Sequence, residues 1–130
     1  MKRLDRSKPV RTFKDLLVWQ KSFDLCTRVY RVTHQFPSDE RFGIIAELRK
    51  TVRSISYNIA EGHRRSSTRE YIRFLDIAYG SVAELETQFL LSRALGYLDR
   101  ETSERLLSNL AEVDRMLASL MRSLQRRMGA

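Results

Sequence analysis

The side chains with the most chemical promise gather around one stretch, Ser54-Ile55-Ser56-Tyr57-Asn58-Ile59-Ala60-Glu61-Gly62, and its basic exit His63-Arg64-Arg65. Arg49, Lys50, Arg53, Arg64 and Arg65 supply guanidinium and ammonium groups, the donors that bind phosphate oxygens. Lys50, Arg53, Tyr57 and Arg64 follow one another at spacings of three, four and seven, so a single helical ridge interleaves one ring with cations, diluted by Glu61. These five basic residues are the candidate nucleic-acid contacts; a merely solvated charged face is the plain alternative. Asn58, Glu61 and Glu84 are polar where apolar packing would be simpler. The expectation is a structural hydrogen-bonded network that fixes helix register or subunit pairing, ahead of a ligand or acid/base site.

Other chemistries find little support. A di-metal site in a helical bundle needs Glu-x-x-His pairs on facing helices. The two histidines, His34 and His63, do not lie three residues after a glutamate. Cys26 sits on an apolar helical line and reads as a small core residue rather than a nucleophile. The chain has no CxxC pair, glycine-rich phosphate loop or G-x-S-x-G elbow. No metal, cofactor or catalytic residue is expected, and the reading is of a protein that is not an enzyme.

Composition bounds the architecture that must position these groups. With 130 residues, 42% hydrophobic and 31% charged, the chain is expected to form one globular domain. Five glycines and two prolines are separated by long periodic stretches, which favours helices over a turn-rich β fold. A lone cysteine excludes an internal disulfide framework and fits a reducing cytoplasm. No run of apolar residues approaches the length of a membrane span, and the basic start Met1-Lys2-Arg3-Leu4-Asp5-Arg6 lacks the apolar stretch of a secretory signal. The net charge of +8 is uneven: residues 1–12 carry five basic groups against Asp5, and residues 122–130 carry Arg122, Arg126 and Arg127. Basic tails suit a polyanionic partner.

Periodicity predicts four helices, behind a flexible basic arm over 1–12. Thr12 and Asp15 form a capping-box pattern, opening a helix from about Phe13 to Phe36 that Pro37 closes. This helix has two apolar lines, one of Leu16, Trp19, Phe23, Cys26, Tyr30 and Thr33, the other containing Val18, Leu25 and Val29. One line can face a bundle core; Val18, Leu25 and Val29 are expected on the other, against a second copy of the chain. Ser38-Asp39-Glu40 is expected to cap a second helix whose seam is Ile45, Leu48, Val52, Ile55 and Ile59, with Gly62 ending it or admitting a close neighbour. Ser67 and Glu70 open a third helix that closes at Leu95-Gly96. Asp99 or Thr102 caps a fourth with the stripe Leu106, Leu110, Val113, Leu117, Leu120 and Leu124. Four amphipathic helices with short links predict an all-α, antiparallel up-down-up-down four-helix bundle over 13–127.

Several of these pieces resemble a known family. They are Phe13-Lys14-Asp15-Leu16-Leu17-Val18-Trp19-Gln20, Phe36-Pro37, Ser54-Ile55 with Asn58-Ile59-Ala60-Glu61-Gly62, Gly80-Ser81-Val82-Ala83-Glu84-Leu85-Glu86-Thr87-Gln88, and Gly96-Tyr97-Leu98. Together they are similar to the four-helix-bundle proteins encoded in intervening sequences of bacterial 23S ribosomal RNA genes. Where that family commonly has proline after Ser-Ile this chain has Ser56, so a less kinked second helix is expected. The resemblance implies a homopentameric barrel without established catalytic activity. It also implies kinship with the accessory protein of diversity-generating retroelements, a basic pentamer that binds nucleic acid and a reverse transcriptase. The expected partners are therefore further copies of the chain and RNA or DNA, held through phosphates with little sequence preference. The alternative is an interaction scaffold that docks a protein such as a polymerase, its charge serving solubility. A third possibility, an enzyme, would need a deep pocket around Asn58, Glu61 and Glu84.

Overall fold

The structure, a computed structural model, describes residues 9–129. The expected basic arm lies outside the described residues as far as residue 8. Thr12 then forms the anticipated capping box: its hydroxyl accepts from the Lys14 N–H at 3.2 Å, and Asp15 Oδ2 accepts from the Thr12 N–H at 3.0 Å. Backbone donors from Thr12 and Arg11 hold the Asp15 carboxyl below its ordinary range. The box closes only a single 3-10 turn, Phe13–Asp15, because Leu16 is extended (φ −75°, ψ 124°). Helix α1 therefore runs Leu17–Thr33, shorter at both ends than its apolar pattern suggests.

Ser38-Asp39-Glu40 likewise forms a separate 3-10 turn rather than the cap of the next helix. The Glu40 carboxylate joins two partners: Oε2 accepts from the Tyr97 hydroxyl at 2.8 Å, and Oε1 faces the Ile44 N–H at 3.5 Å at the start of the next helix. Helix α2 begins after Gly43 and spans Ile44–His63 without a break. Helix α3 spans Thr68–Ala94, its start capped by Ser67 Oγ, which accepts from the Glu70 N–H at 3.1 Å. The reciprocal half of that box is missing, since the Glu70 carboxylate pairs with Arg73 instead. Gly96 has φ +81°, a left-handed conformation in which a Cβ is strained, and it turns the chain into helix α4, Arg100–Gly129. Asp99 Oδ1 caps α4 from the Thr102 N–H at 2.7 Å.

Each helix packs against the next and α1 against α4, the ring of an up-down-up-down bundle. The seam of α2 is buried throughout, and Val52, Ile55 and Ile59 are fully enclosed. Leu75, Ala78, Val82, Leu85 and Phe89 from α3 meet it, as do Leu106, Leu110, Val113, Leu117 and Leu124 from α4. Removing such side chains from water stabilises the fold by roughly 1.5–3 kcal/mol each.

Helix α1 corrects one expectation. Val18, Leu25 and Val29 are 5%, 1% and 0% exposed within a single chain, so they belong to the bundle core and not to an interface between copies. The other line turns partly outward. Trp19 is covered by Phe13, edge-on at 5.1 Å, and stacks on Phe23 at 5.0 Å; Phe23 remains 46% exposed. Both lines were apolar enough to be core. The 3-10 segment ahead of α1 shields the second line, and nothing in the spacing could reveal that cover.

Gly62 lies inside α2 with no left-handed conformation, so it does not end the helix by its own flexibility. It is there for space. A Cβ at Gly62 would sit 2.8 Å from Phe74 Cβ and 3.2 Å from the Tyr71 carbonyl oxygen, where α2 and α3 come together.

Candidate nucleic-acid interface

The antiparallel order puts the end of α2, the start of α3 and the end of α4 at the same end of the bundle as the start of α1. Arg64 and Arg65 come from the α2–α3 turn, and Arg69 and Arg73 from the first turns of α3. Arg122, Arg126 and Arg127 come from the last turns of α4, and all seven are exposed. Only Glu61 and Glu70 oppose these seven cations over residues 61–73 and 122–129, a local excess of five charges. Arg11 and Lys14 enter at the same end, beside the start of α1.

Within this end the arginines are ordered by neighbours that leave donors free. Arg65 Nη2 bonds Glu61 Oε1 at 2.6 Å and its guanidinium lies over the Phe74 ring at 4.7 Å. Arg73 takes the other approach to that ring at 4.6 Å and bonds Glu70 through Nε at 2.9 Å. Such exposed pairs add little stability. Their effect is to fix direction: a guanidinium has five donors, and one or two are used here. Arg73 in turn holds the Glu70 carboxyl below its usual range. Tyr71 sits behind them, edge-on to His63 at 5.8 Å. Burial pushes its hydroxyl up to about 12, while the Arg127 charge pulls the other way, which marks how near the end of α4 comes.

The expected ridge divides. Arg64 and Arg65 lie on the basic end, but Arg49 and Arg53 are turned onto α1. Arg49 Nε donates to Thr33 Oγ1 at 3.0 Å and its guanidinium covers the Tyr30 ring at 4.7 Å; Arg53 Nη1 donates to the Tyr30 hydroxyl. They fasten α2 to α1, a use that helical spacing cannot separate from solvent exposure. Lys50 is exposed on the opposite flank, by a groove of about 320 Å³ between α2 and α3. Spacing missed Arg69 and Arg73; the signal was their position just after the Ser67 cap, where cations oppose the helix dipole without evident structural reward.

The polar network is also corrected in membership. Asn58 Nδ2 donates to the Ser54 carbonyl at 2.8 Å and to Ser54 Oγ at 3.1 Å, and Ser54 Oγ meets Ser81 Oγ at 2.9 Å. Gln88 Nε2 donates to Thr51 Oγ1 at 2.9 Å in the same seam. Glu61 and Glu84 take no part: both are exposed, and Glu61 belongs to Arg65. The α2–α3 groove is lined by Glu84 without Asn58 or Glu61. Cys26 is half-buried and donates to the Val52 carbonyl at 3.2 Å; burial pushes its thiol up, against smaller opposing effects of Ser56 and Arg53. Among the described residues no group of three or more His, Cys, Asp or Glu is placed to hold a metal ion. No helix among them is long and apolar enough to cross a membrane.

A sequence profile of the 23S rRNA-intervening sequence protein family matches residues 14–119. The chain belongs to this family. That match covers all of α1, α2 and α3, most of α4, and the α2–α3 turn with its arginines. A solved structure of a protein of unknown function from the S23 ribosomal protein family of Bacteroides thetaiotaomicron VPI-5482 has the same fold. The TM-score is 0.73 over 81% of this chain and 98% of that one, at 24% identity. At that identity the likeness speaks for the fold alone. No curated protein matches.

Proposed function

We propose that the protein is a non-enzymatic homo-oligomer that binds RNA or DNA through phosphate contacts, with little sequence preference. The observation that carries this reading is the basic end, where the fold collects arginines from segments some sixty residues apart in the chain. Exposed, directed guanidinium groups suit phosphate oxygens, whose contacts carry no sequence information. Arg11 and Lys14, beside the start of α1, add to the same end. A cytoplasmic location fits this partner.

Assembly is supported by the outer surface of α2 and α3. Tyr57 of α2 is 64% exposed and Leu91 of α3 about half, with Phe42 just ahead of α2 at 89% and Leu95 just after α3 about half exposed. With Val18, Leu25 and Val29 buried in the bundle core, these exposed side chains are the surface proposed for contact between copies. A pentamer, as the family resemblance implies, would repeat the basic end around one axis and let weak contacts act together. The same apolar surface favours the second reading, docking of a protein partner such as a polymerase. Retention of structured RNA at low salt, lost towards physiological salt, supports the first reading. Capture of a protein partner that survives nuclease, with no RNA binding at low salt, supports the second.

A further inference from the structure

We propose that the half of the α1–α4 seam far from the basic end is a separate site for a phosphate monoester, either inorganic phosphate or a small molecule such as a nucleoside monophosphate. Lys21 Nζ and Glu112 Oε1, 3.3 Å apart, mark the register of these antiparallel helices. Two turns further along, that register brings Arg28 of α1 level with Arg105 of α4. There the seam opens into a cavity of about 290 Å³ lined by Arg28, Arg31 and Gln35 on one wall and Thr102, Arg105 and Asn109 on the other. Its size is at the small end of ligand sites, which begin near roughly 300 Å³.

The lining selects for an anion. Three guanidiniums, two amides and a hydroxyl supply donors, and no carboxylate is among the lining residues. Arg28 Nε bonds Asp24 Oδ2 at 2.8 Å and Arg105 Nη1 bonds Glu101 Oε1 at 3.0 Å. Each carboxylate stands one turn before its arginine, outside the cavity, so it steadies the guanidinium and leaves other N–H groups free for a ligand. Among the described residues Arg31 has no acidic partner within ion-pairing distance. The floor is apolar, made by Val32 and by Leu106, which is 4% exposed. That floor suits the carbon part of an organic phosphate. A monoester is favoured over a backbone diester because its second ionisation, near pH 6, gives it up to two charges for the arginine forks to share. The spacing in the sequence, Arg28-Arg31-Gln35 and Thr102-Arg105-Asn109, repeats three and four on both walls, with Gln35 in the turn just after α1, and only the fold brings the two sets together.

Titration calorimetry of the whole chain at low salt with inorganic phosphate, adenosine monophosphate and an oligonucleotide lacking terminal phosphates tests this. Phosphate, the monophosphate or both should bind; whichever is tighter names the source. Arg31→Gln and Arg105→Gln should each weaken that binding at least tenfold while keeping the helical circular dichroism of the parent. Arg64→Gln with Arg65→Gln should leave it within twofold, and lowering the pH from about 7 to about 5 should weaken it as the monoester gains a proton. No binding of either compound, binding that survives both cleft substitutions, loss in the Arg64/Arg65 variant, or equal displacement by the unphosphorylated oligonucleotide would overturn the proposal.

Discussion

Replacing Gly62 by alanine sets two known effects against each other, and the structure decides between them. In a helix interior, alanine in place of glycine stabilises by roughly 1 kcal/mol. At Gly62 the new Cβ would lie 2.8 Å from Phe74 Cβ and 3.1 Å from Tyr71 Cδ1. Comfortable carbon–carbon contact is about 3.5–4.0 Å, so α2 and α3 must part locally by close to 1 Å. Phe74 Cβ cannot swing aside, being fixed to its own backbone. Overpacking of this kind costs about 1–3 kcal/mol, and the parting also loosens the neighbouring contacts of Ile59. The net expectation is a loss of up to roughly 2 kcal/mol, or a melting temperature up to about 7 °C lower for a chain of this length. Gly80 is the control, because a Cβ there meets nothing within 4 Å. Gly80→Ala should gain up to about 1 kcal/mol. Urea and thermal unfolding followed by circular dichroism would be compared at one low protomer concentration, since assembly shifts apparent stability. If Gly62→Ala is as stabilising as Gly80→Ala, the close α2–α3 approach is wrong.

Two further outcomes follow from the core. Leu25→Ala, at a position only 1% exposed, should cost about 2–5 kcal/mol of unfolding free energy. A variant that changes assembly size with stability untouched would return Leu25 to an interface. Cys26 should alkylate slowly at pH 8 and quickly once urea unfolds the chain, because its thiol is half-buried and pushed up by desolvation. Equal rates in the two states would contradict that burial.

The four helices were legible because each buries a stripe at helical spacing, and the caps at Thr12, Ser67 and Asp99 were legible because short polar side chains bond locally. Boundaries set by distant partners were not. Glu40 bonds Tyr97, 57 residues on in the α3–α4 turn, and α2 starts at Ile44 instead of after Ser38. The site followed the same division. Arg64 and Arg65 stood out beside the Gly62 turn, whereas Arg49 and Arg53 share their helical spacing yet are bound to Tyr30 on α1. Gly62 was suspected for two reasons, and only packing against Phe74 separates them. Glu61 looked like a network member from its place beside the apolar seam, but a carboxylate four residues before Arg65 has a nearer partner in the turn that follows its helix.

The reading of the basic end is tested most directly by the salt dependence of RNA binding, compared between the parent chain and one carrying Arg64→Gln, Arg65→Gln, Arg126→Gln and Arg127→Gln. For single strands each phosphate contact contributes about 0.7 to the slope of log affinity against log salt. The parent slope should be steep and should fall by about 0.7 for every contact removed, up to nearly 3 per protomer engaged. Equal slopes and affinities for the two proteins would show that nucleic acid does not bind at this end of the bundle.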